Sequence, residues 1–280
     1  MAAKGGRDVF AATVVGLILL TLVVLTLVYW QPGLVLLLVG MTSLGTIEVH
    51  DALARIGMNS AKIPLVIGNI AIIGGSYGAA ELQKYTNIAW HVVLLGCLGF
   101  TVMLVLVWRM FFGSEGFVRD AAASLFTICY IPLLASFIGL ILAMDNGSLK
   151  LITMVLCVCA SDTGGYVVGA NLGKHQMAPL ISPKKTWEGF VGSLAVSSAM
   201  GIVMAVFALG QPWWYGLVLA AVAVVFCTAG DLVESMIKRD VGIKDMSSSI
   251  PGHGGVMDRL DSVLFAAPAA WLVLSLPMPL

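Results

Sequence analysis

Long apolar runs separated by short polar turns set the pattern of this chain. Runs long enough to cross a bilayer, or nearly so, cover residues 9–29, 34–49, 64–79, 88–108, 121–144, 151–171, 190–209, 214–230 and 260–276. A spanning helix needs about 20 apolar residues. The pattern therefore predicts an all-α polytopic membrane protein with about nine transmembrane helices, because only helices and closed barrels satisfy their backbone inside lipid. The second and third runs are the shortest and are interrupted by Gly or Glu. Residues 51–62 between them read as a polar, partly helical connector. The first run outlasts a signal-peptide core and no small-residue cleavage site follows it, so it is expected to stay as the first helix.

Composition supports one integral membrane domain over residues 1–280. The chain is 59% hydrophobic and 11% charged, with a mean hydropathy of +0.99. A soluble domain carries about a quarter charged residues. Net charge is zero, so bulk charge says nothing about partners, and no nucleic-acid partner is expected. The placement of charge is more informative. With the N-terminus in the cytoplasm and the C-terminus outside, thirteen Lys and Arg fall on the inner side, and only Lys84 and Lys150 fall outside. That asymmetry is what the positive-inside rule demands. Trp30, Trp90, Trp213 and Trp214 then lie near the outer boundary, as an aromatic belt. Cys97, Cys129, Cys157, Cys159 and Cys227 lie in apolar runs and read as buried thiols, with no disulfide framework. Gly74 and Gly78, and Gly165, Gly169 and Gly173, have the four-residue spacing of close helix packing.

Three polar stretches interrupt this background. Asp162, in Ser161-Asp162-Thr163-Gly164-Gly165-Tyr166, lies eleven residues past Leu151, roughly 16 Å along a helix. A carboxylate near mid-bilayer is costly unless it is paired, protonated or hydrated, and it reads either as a helix-helix bond or as a group beside a substrate or cation. The inner loop after Lys174 carries Ser182, Lys184, Lys185 and Thr186, which offer hydroxyls and cations to a phosphate. Those lysines also satisfy the positive-inside rule by themselves, or could meet anionic lipid headgroups.

The third stretch, residues 230–261, holds ten of the thirty charged residues. Offsets of 0, 3, 4, 7 and 8 place Asp231, Glu234, Ser235, Lys238 and Arg239 on one helical face. Carboxylates of this kind hold a hard divalent cation, and the basic groups take remaining phosphate charge. Lys244 follows, then a turn-rich loop in which His253, Gly254 and Gly255 suit close approach of an anion to the backbone. Asp258, Arg259 and Asp261 open the last run, where acidic residues also favour the helix dipole. Glu48 and His50, at the inner end of the second run, are expected to contribute at most peripherally. His91 and His175 have no partner visible in the sequence and read as structural.

From Ser235 through Lys238-Arg239, Lys244-Asp245, His253-Gly254-Gly255, Asp258-Arg259 and Asp261, the chain resembles the signature of the CDP-diacylglycerol synthases (phosphatidate cytidylyltransferases). The stretches at Ser161–Tyr166 and Ser182–Gly189 resemble further motifs of that family. The resemblance covers residues 151–280; residues 1–150 match only as generic spans. It implies transfer of the cytidylyl group of CTP to phosphatidate, with pyrophosphate released, in phospholipid biosynthesis. It also implies Mg²⁺ held by Asp231 and Asp258, with a second cation left open, and a homodimer. Asp231, Asp258, Lys238 and Arg239 are then expected to be catalytic. Ser182, Lys184, Lys185, Thr186, Ser235, Lys244, His253, Gly254, Gly255 and Arg259 would bind substrate, and Asp162, Glu234 and Asp261 would support them. The expected setting is a bacterial plasma membrane with the site facing the cytoplasm. Two other readings stay open from the residues: a phosphotransferase acting on a polyprenyl phosphate or an alcohol-bearing acceptor, and a cation-coupled transporter using Asp162.

Overall fold

The computed structural model describes residues 9–250 and 254–276. Among the described residues the chain forms nine helices and one short hairpin. The helices are α1 (Val9–Tyr29), α2 (Gln31–Ala54), α3 (Lys62–Leu82), α4 (Trp90–Met110), α5 (Phe117–Leu142), α6 (Gly147–Leu172), α7 (Trp187–Ala208), α8 (Trp213–Val241) and α9 (Met257–Ser275). Each falls on one of the apolar runs. Seven, α2 to α8, are long and apolar enough to cross a membrane by length and composition. The last, α9, opens with Asp258, Arg259 and Asp261 and contains Pro268.

One part of the chain departs from an all-helical reading. Residues 176–186 form an antiparallel hairpin, β1 (Gln176–Ala178) with β2 (Ser182–Thr186), in which Gln176 pairs with Thr186 and Ala178 with Ser182. The segment Ser-Pro-Lys-Lys-Thr has no apolar alternation, so nothing in its pattern marks a strand. The connector between α2 and α3 is a turn at residues 55–57 followed by extended chain.

Helix direction places all the motif-bearing pieces at one end. The last turns of α2, α6 and α8, the hairpin, and the first turns of α7 and α9 meet there. Trp30, Trp90 and Trp213 stand at the opposite ends of their helices.

Small residues let this end close up. The α6–α7 interface is the most extensive in the molecule. A Cβ at Gly164 would sit 2.6 Å from the carbonyl oxygen of Gly192, and one at Gly165 would sit 2.5 Å from Ser193 Oγ. Ser193 and Ser197 donate hydroxyl hydrogen bonds across the same interface to the carbonyls of Ser161 (2.7 Å) and Cys157 (2.9 Å). Such bonds hold helices together where lipid offers no hydrophobic drive between them. Gly74 and Gly78 do not act this way. A Cβ at either would have nothing within 4 Å, so their spacing does not mark a packed face.

The main core joins α2, α5, α6, α8 and α9 through fully buried Val49, Ile131, Met154, Leu219, Met257 and Leu264. A second cluster, with Leu65, Ile72, Leu94 and Val105, joins α3, α4 and α5. Within α5, residues 129–133 widen into a π-turn around Pro132, which accommodates a residue with no N–H to give the helix. Cys157 and Cys227 are buried, whereas Cys129 and Cys159 are exposed on the apolar surface, so the expectation of buried thiols fails for those two. An outward face of Val92, Leu95, Phe100 and Met103 on α4 fits contact with lipid.

One buried ion pair fastens the half of the chain that lacks motifs. Arg109 Nε lies 2.9 Å from Asp120 Oδ2, with side chains only 10% and 5% exposed. The other guanidinium nitrogens donate to the carbonyls of Gly113 (2.8 Å) and Glu115 (2.5 Å), and the Asn59 N–H donates to Asp120 Oδ1 at 2.8 Å. The pair therefore ties α4, the following turn, α5 and the α2–α3 connector. Removing one partner of such a pair strands a buried charge. Arg109→Met should cost about 3–5 kcal/mol of stability, read as a lower unfolding midpoint of the purified protein in detergent. An unchanged midpoint would contradict this role.

Candidate active site

A cavity of about 300 Å³ opens at the motif-bearing end, between α6, the hairpin, α7 and α8. Asp162, Ser182, Lys184, Lys185, Thr186 and Asp231 all line it. The hairpin turns what reads as a loop into a wall of this cavity. Its closure is local chemistry. Thr186 is the N-cap of α7 and accepts the Gly189 N–H at 3.1 Å, the usual way of satisfying a first-turn donor. Glu188, in the first turn, accepts the backbone N–H groups of Lys174 and His175, both at 3.1 Å, and lies 2.6 Å from His175 Nδ1. His175 therefore has a partner that the sequence does not reveal.

Asp231 stands at the centre. Lys185 Nζ lies 2.5 Å from Asp231 Oδ2 and 3.4 Å from the carbonyl of Thr228. The Ser262 hydroxyl donates to Asp231 Oδ1. Asp162 comes from α6, and its Oδ1 accepts the Cys227 thiol at 3.4 Å. Rather than being enclosed in apolar surroundings, Asp162 opens onto the cavity, where water can solvate it.

Asp231 to Arg239 are helical as expected, but the polar face of α8 turns inward against α9, while Met236 is 52% exposed. The two helices run antiparallel, so residues pair in descending order. Asp231 meets Ser262, and Lys238 meets Asp258. Lys238 Nζ lies 2.8 Å from Asp258 Oδ1 and also contacts Glu234. Asp258 Oδ2 accepts the N–H groups of Met246 (3.0 Å) and Gly255 (2.9 Å). Both Asp258 oxygens are thus engaged. Asp258 and Ser262 are four positions apart, a rise of about 6 Å, so Asp258 lies roughly one turn along the seam from Asp231.

Glu234 and Asp261 are buried in this seam. Glu234 Oε1 and the Tyr130 hydroxyl are buried with no hydrogen-bond partner among the described residues. Tyr130, on α5, had no signal in the sequence, because a lone Tyr in an apolar run reads as core.

Ser235 is half-buried on the same helix face. Arg239 is exposed, with its Nε 3.5 Å from the carbonyl of Ile181 in the hairpin. Lys244 and Arg259 are exposed at the same end. Gly254 has a φ of +84°, a left-handed conformation that favours glycine. The Gly255 N–H, read as an anion binder, already serves the Asp258 carboxylate. His253 lies outside the described residues. Glu48, read as peripheral, is buried beneath the loop before α9.

Ligand chemistry can be tested against this arrangement. Among the described residues, one group of metal-ligating side chains converges: an oxygen each of Asp162 and Asp231 and Cys227 Sγ, all within 4.8 Å of one another. The two carboxylates fit a hard cation such as Mg²⁺, whereas a thiol does not. The orphaned Glu234 Oε1 adds unspent acceptor capacity nearby.

Carboxylates and cations closed on one another at the end of an apolar helical bundle can counter the charge of phosphate groups. This is the equipment of a nucleotidyl-transferring membrane enzyme, and the chain belongs to the cytidylyltransferase family, whose model matches residues 10–276. It is similar to proteins named phosphatidate cytidylyltransferase. The one from Mycobacterium leprae is 38% identical over 292 residues, covering 98% of this chain and 89% of its own. The Mycobacterium bovis protein is 38% identical over 289 residues, covering 98% and 90%. That of Staphylococcus saprophyticus is 33% identical over 258 residues, covering 89% and 94%.

The convergence of Asp162 with Asp231 makes a binding prediction. Asp162→Asn should weaken Mn²⁺ binding, followed by electron paramagnetic resonance, by about tenfold or more, equal to about 1.4 kcal/mol. Cys227→Ser should leave it within about twofold, since a soft thiol contributes little to a hard ion. The reverse ranking would show that the thiol, and so a different ion, defines the group.

Proposed function

We propose that this protein is a phosphatidate cytidylyltransferase, which converts CTP and phosphatidate to CDP-diacylglycerol and pyrophosphate. The observation that carries the reading is the Asp162–Asp231–Lys185 group in a cavity at the end of an apolar bundle, in a chain of the cytidylyltransferase family.

The chemistry suits these residues. The nucleophile is an oxygen of the phosphatidate phosphate, which is ionised near neutral pH, so no strong general base is required. It forms a bond to the α-phosphorus of CTP while the bond from that phosphorus to the bridging oxygen of pyrophosphate breaks. The obstacle is repulsion between two polyanions and charge building on the leaving group. Catalysis is then positioning plus charge neutralisation. Lys185 lies in the cavity wall and meets phosphate there. Lys238, held between Glu234 and Asp258, is fixed in place by its partners. Arg239, Lys244 and Arg259 line the approach at the surface. Ser182 and Thr186 offer hydroxyls from the cavity wall.

Asp231 and Asp162 would hold Mg²⁺, with Asp231 giving up Lys185 or the Ser262 hydroxyl to do so; when bound, the ion offsets the negative charge of the CTP phosphates. Asp258 would join them only by releasing Lys238 or its backbone donors. Glu234 and Asp261 remain as acceptors for a second cation. In this reading all nine helices cross a bacterial plasma membrane. The N-terminus and the active site face the cytoplasm, the C-terminus is outside, and the enzyme works as a homodimer. The topology is supported by the described Lys and Arg, eleven of thirteen of which fall at the end that carries the site.

A purified-protein assay with radiolabelled CTP and phosphatidate, with and without Mg²⁺, tests the reading. Lipid-linked nucleotide should form only with the metal, and none under any metal condition would sink the proposal. Substituting polyprenyl phosphate for phosphatidate separates the nearest competing acceptor. Asp231→Asn and Asp258→Asn should each lower turnover by at least about a hundredfold, equal to about 2.7 kcal/mol. Ser76→Ala is the control. Ser76 is buried, and its hydroxyl donates only to the carbonyl of Ile73 in its own helix at 3.1 Å, so turnover should stay near normal.

A further inference from the structure

We propose that Glu48 is a positioning residue for the reaction: it clamps the loop between α8 and α9 and so sets where Asp258 presents itself. The inference rests on the functional reading above, although its structural half can be tested without substrate.

Glu48 belongs to α2, in the half of the chain that carries no motif. It is only 4% exposed. A carboxylate buried in an apolar bundle needs donors to offset its desolvation, and three are present. Glu48 Oε1 accepts the Ser247 hydroxyl at 2.5 Å and the Val256 N–H at 2.9 Å. Oε2 accepts the Met257 N–H at 2.9 Å. Ser247 lies at the start of the loop and Val256 and Met257 at its end, so one side chain closes the loop on itself. Val256 and Met257 also carry free first-turn N–H groups of α9, where a carboxylate is favoured by charge as well as by hydrogen bonding.

Asp258 completes the clamp. It takes the N–H groups of Met246 and Gly255, the residues next to those that Glu48 takes. Two carboxylates thus share the donors at both ends of the loop. Gly255 lies between them. A Cβ there would sit 2.8 Å from Glu48 Oε2 and 2.9 Å from Asp258 Oδ2. Any larger residue there would press on both carboxylates and on the Ser247 backbone N–H, 3.0 Å away. Asp258 in turn contacts Lys238. Freeing the loop would therefore loosen both the aspartate and its lysine.

Glu48→Gln keeps the size but turns an NH₂ toward a backbone N–H, so one donor loses its acceptor. The expected result is a kcat at least about tenfold lower, with the KM for CTP within about threefold, because the groups set by the loop act on charge that develops during the reaction. Amide hydrogen exchange in residues 246–257 should quicken, while exchange in α6 and α7 stays unchanged. Ser247→Ala removes one donor and should have a smaller effect of the same kind. The double variant should be no worse than Glu48→Gln alone, since both act through one clamp. Wild-type kcat and loop exchange in Glu48→Gln would overturn the proposal, as would losses that multiply in the double variant. If Glu48→Gln does not fold, faster exchange confined to the loop in Ser247→Ala supports the clamp, and unchanged exchange refutes it. Wild-type protein that makes no lipid-linked nucleotide would refute the functional reading, while the exchange measurement would still decide the clamp.

Discussion

Lys238 is held between Glu234 and Asp258, and this contact joins the end of α8 to the start of α9. Charges at the end of an apolar bundle can stay only if each meets an opposite charge or a hydrogen-bond donor. That constraint dictates much of the local geometry. The polar face of α8 turns inward because its partners are on α9, and the loop between them must fold back far enough for Asp258 to reach Lys238. The bridge between Ile250 and Gly254 and the left-handed Gly254 make that reversal.

A similar pairing joins α8 to the hairpin. Lys185 leaves β2 to meet Asp231, and Arg239 reaches the carbonyl of Ile181. The hairpin is therefore held from α8 on one side and from α7 on the other, where the Gly189 N–H meets Thr186 and Glu188 takes the N–H groups of Lys174 and His175 just before β1. Close approach of α6 to α7, which Gly164 and Gly192 permit, brings Asp162 to the same place. Three polar stretches far apart in sequence line one cavity, with Lys185 meeting Asp231 and the Cys227 thiol meeting Asp162.

Periodicity made the helices legible, since each apolar run became a helix with ends near those expected. The face shared by Asp231, Glu234, Ser235 and Lys238 was legible for the same reason, because helical spacing is a local property. The hairpin was not, since Ser-Pro-Lys-Lys-Thr carries no strand period. The four-residue spacing of Gly74 and Gly78 misled because spacing alone does not say whether a neighbour is present; the same spacing at Gly165 and Gly169 does meet side chains of α7 and the hairpin. Pairings across helices were also out of reach. Nothing local ties Asp162 to Asp231, or Lys238 to Asp258.

Glu48 illustrates the same limit from the opposite direction. In sequence it is one acid in an otherwise apolar run, and the expense of burying it is the only local clue. Its donors lie some 200 positions away, and two of them are backbone groups that no residue type advertises. The half of the chain without motifs therefore does more than provide spans. It supplies an acceptor on which the loop between α8 and α9 closes, and the tight fit around Gly255 follows from that acceptor. A glycine in a signature can thus record the close approach of the protein's own carboxylates.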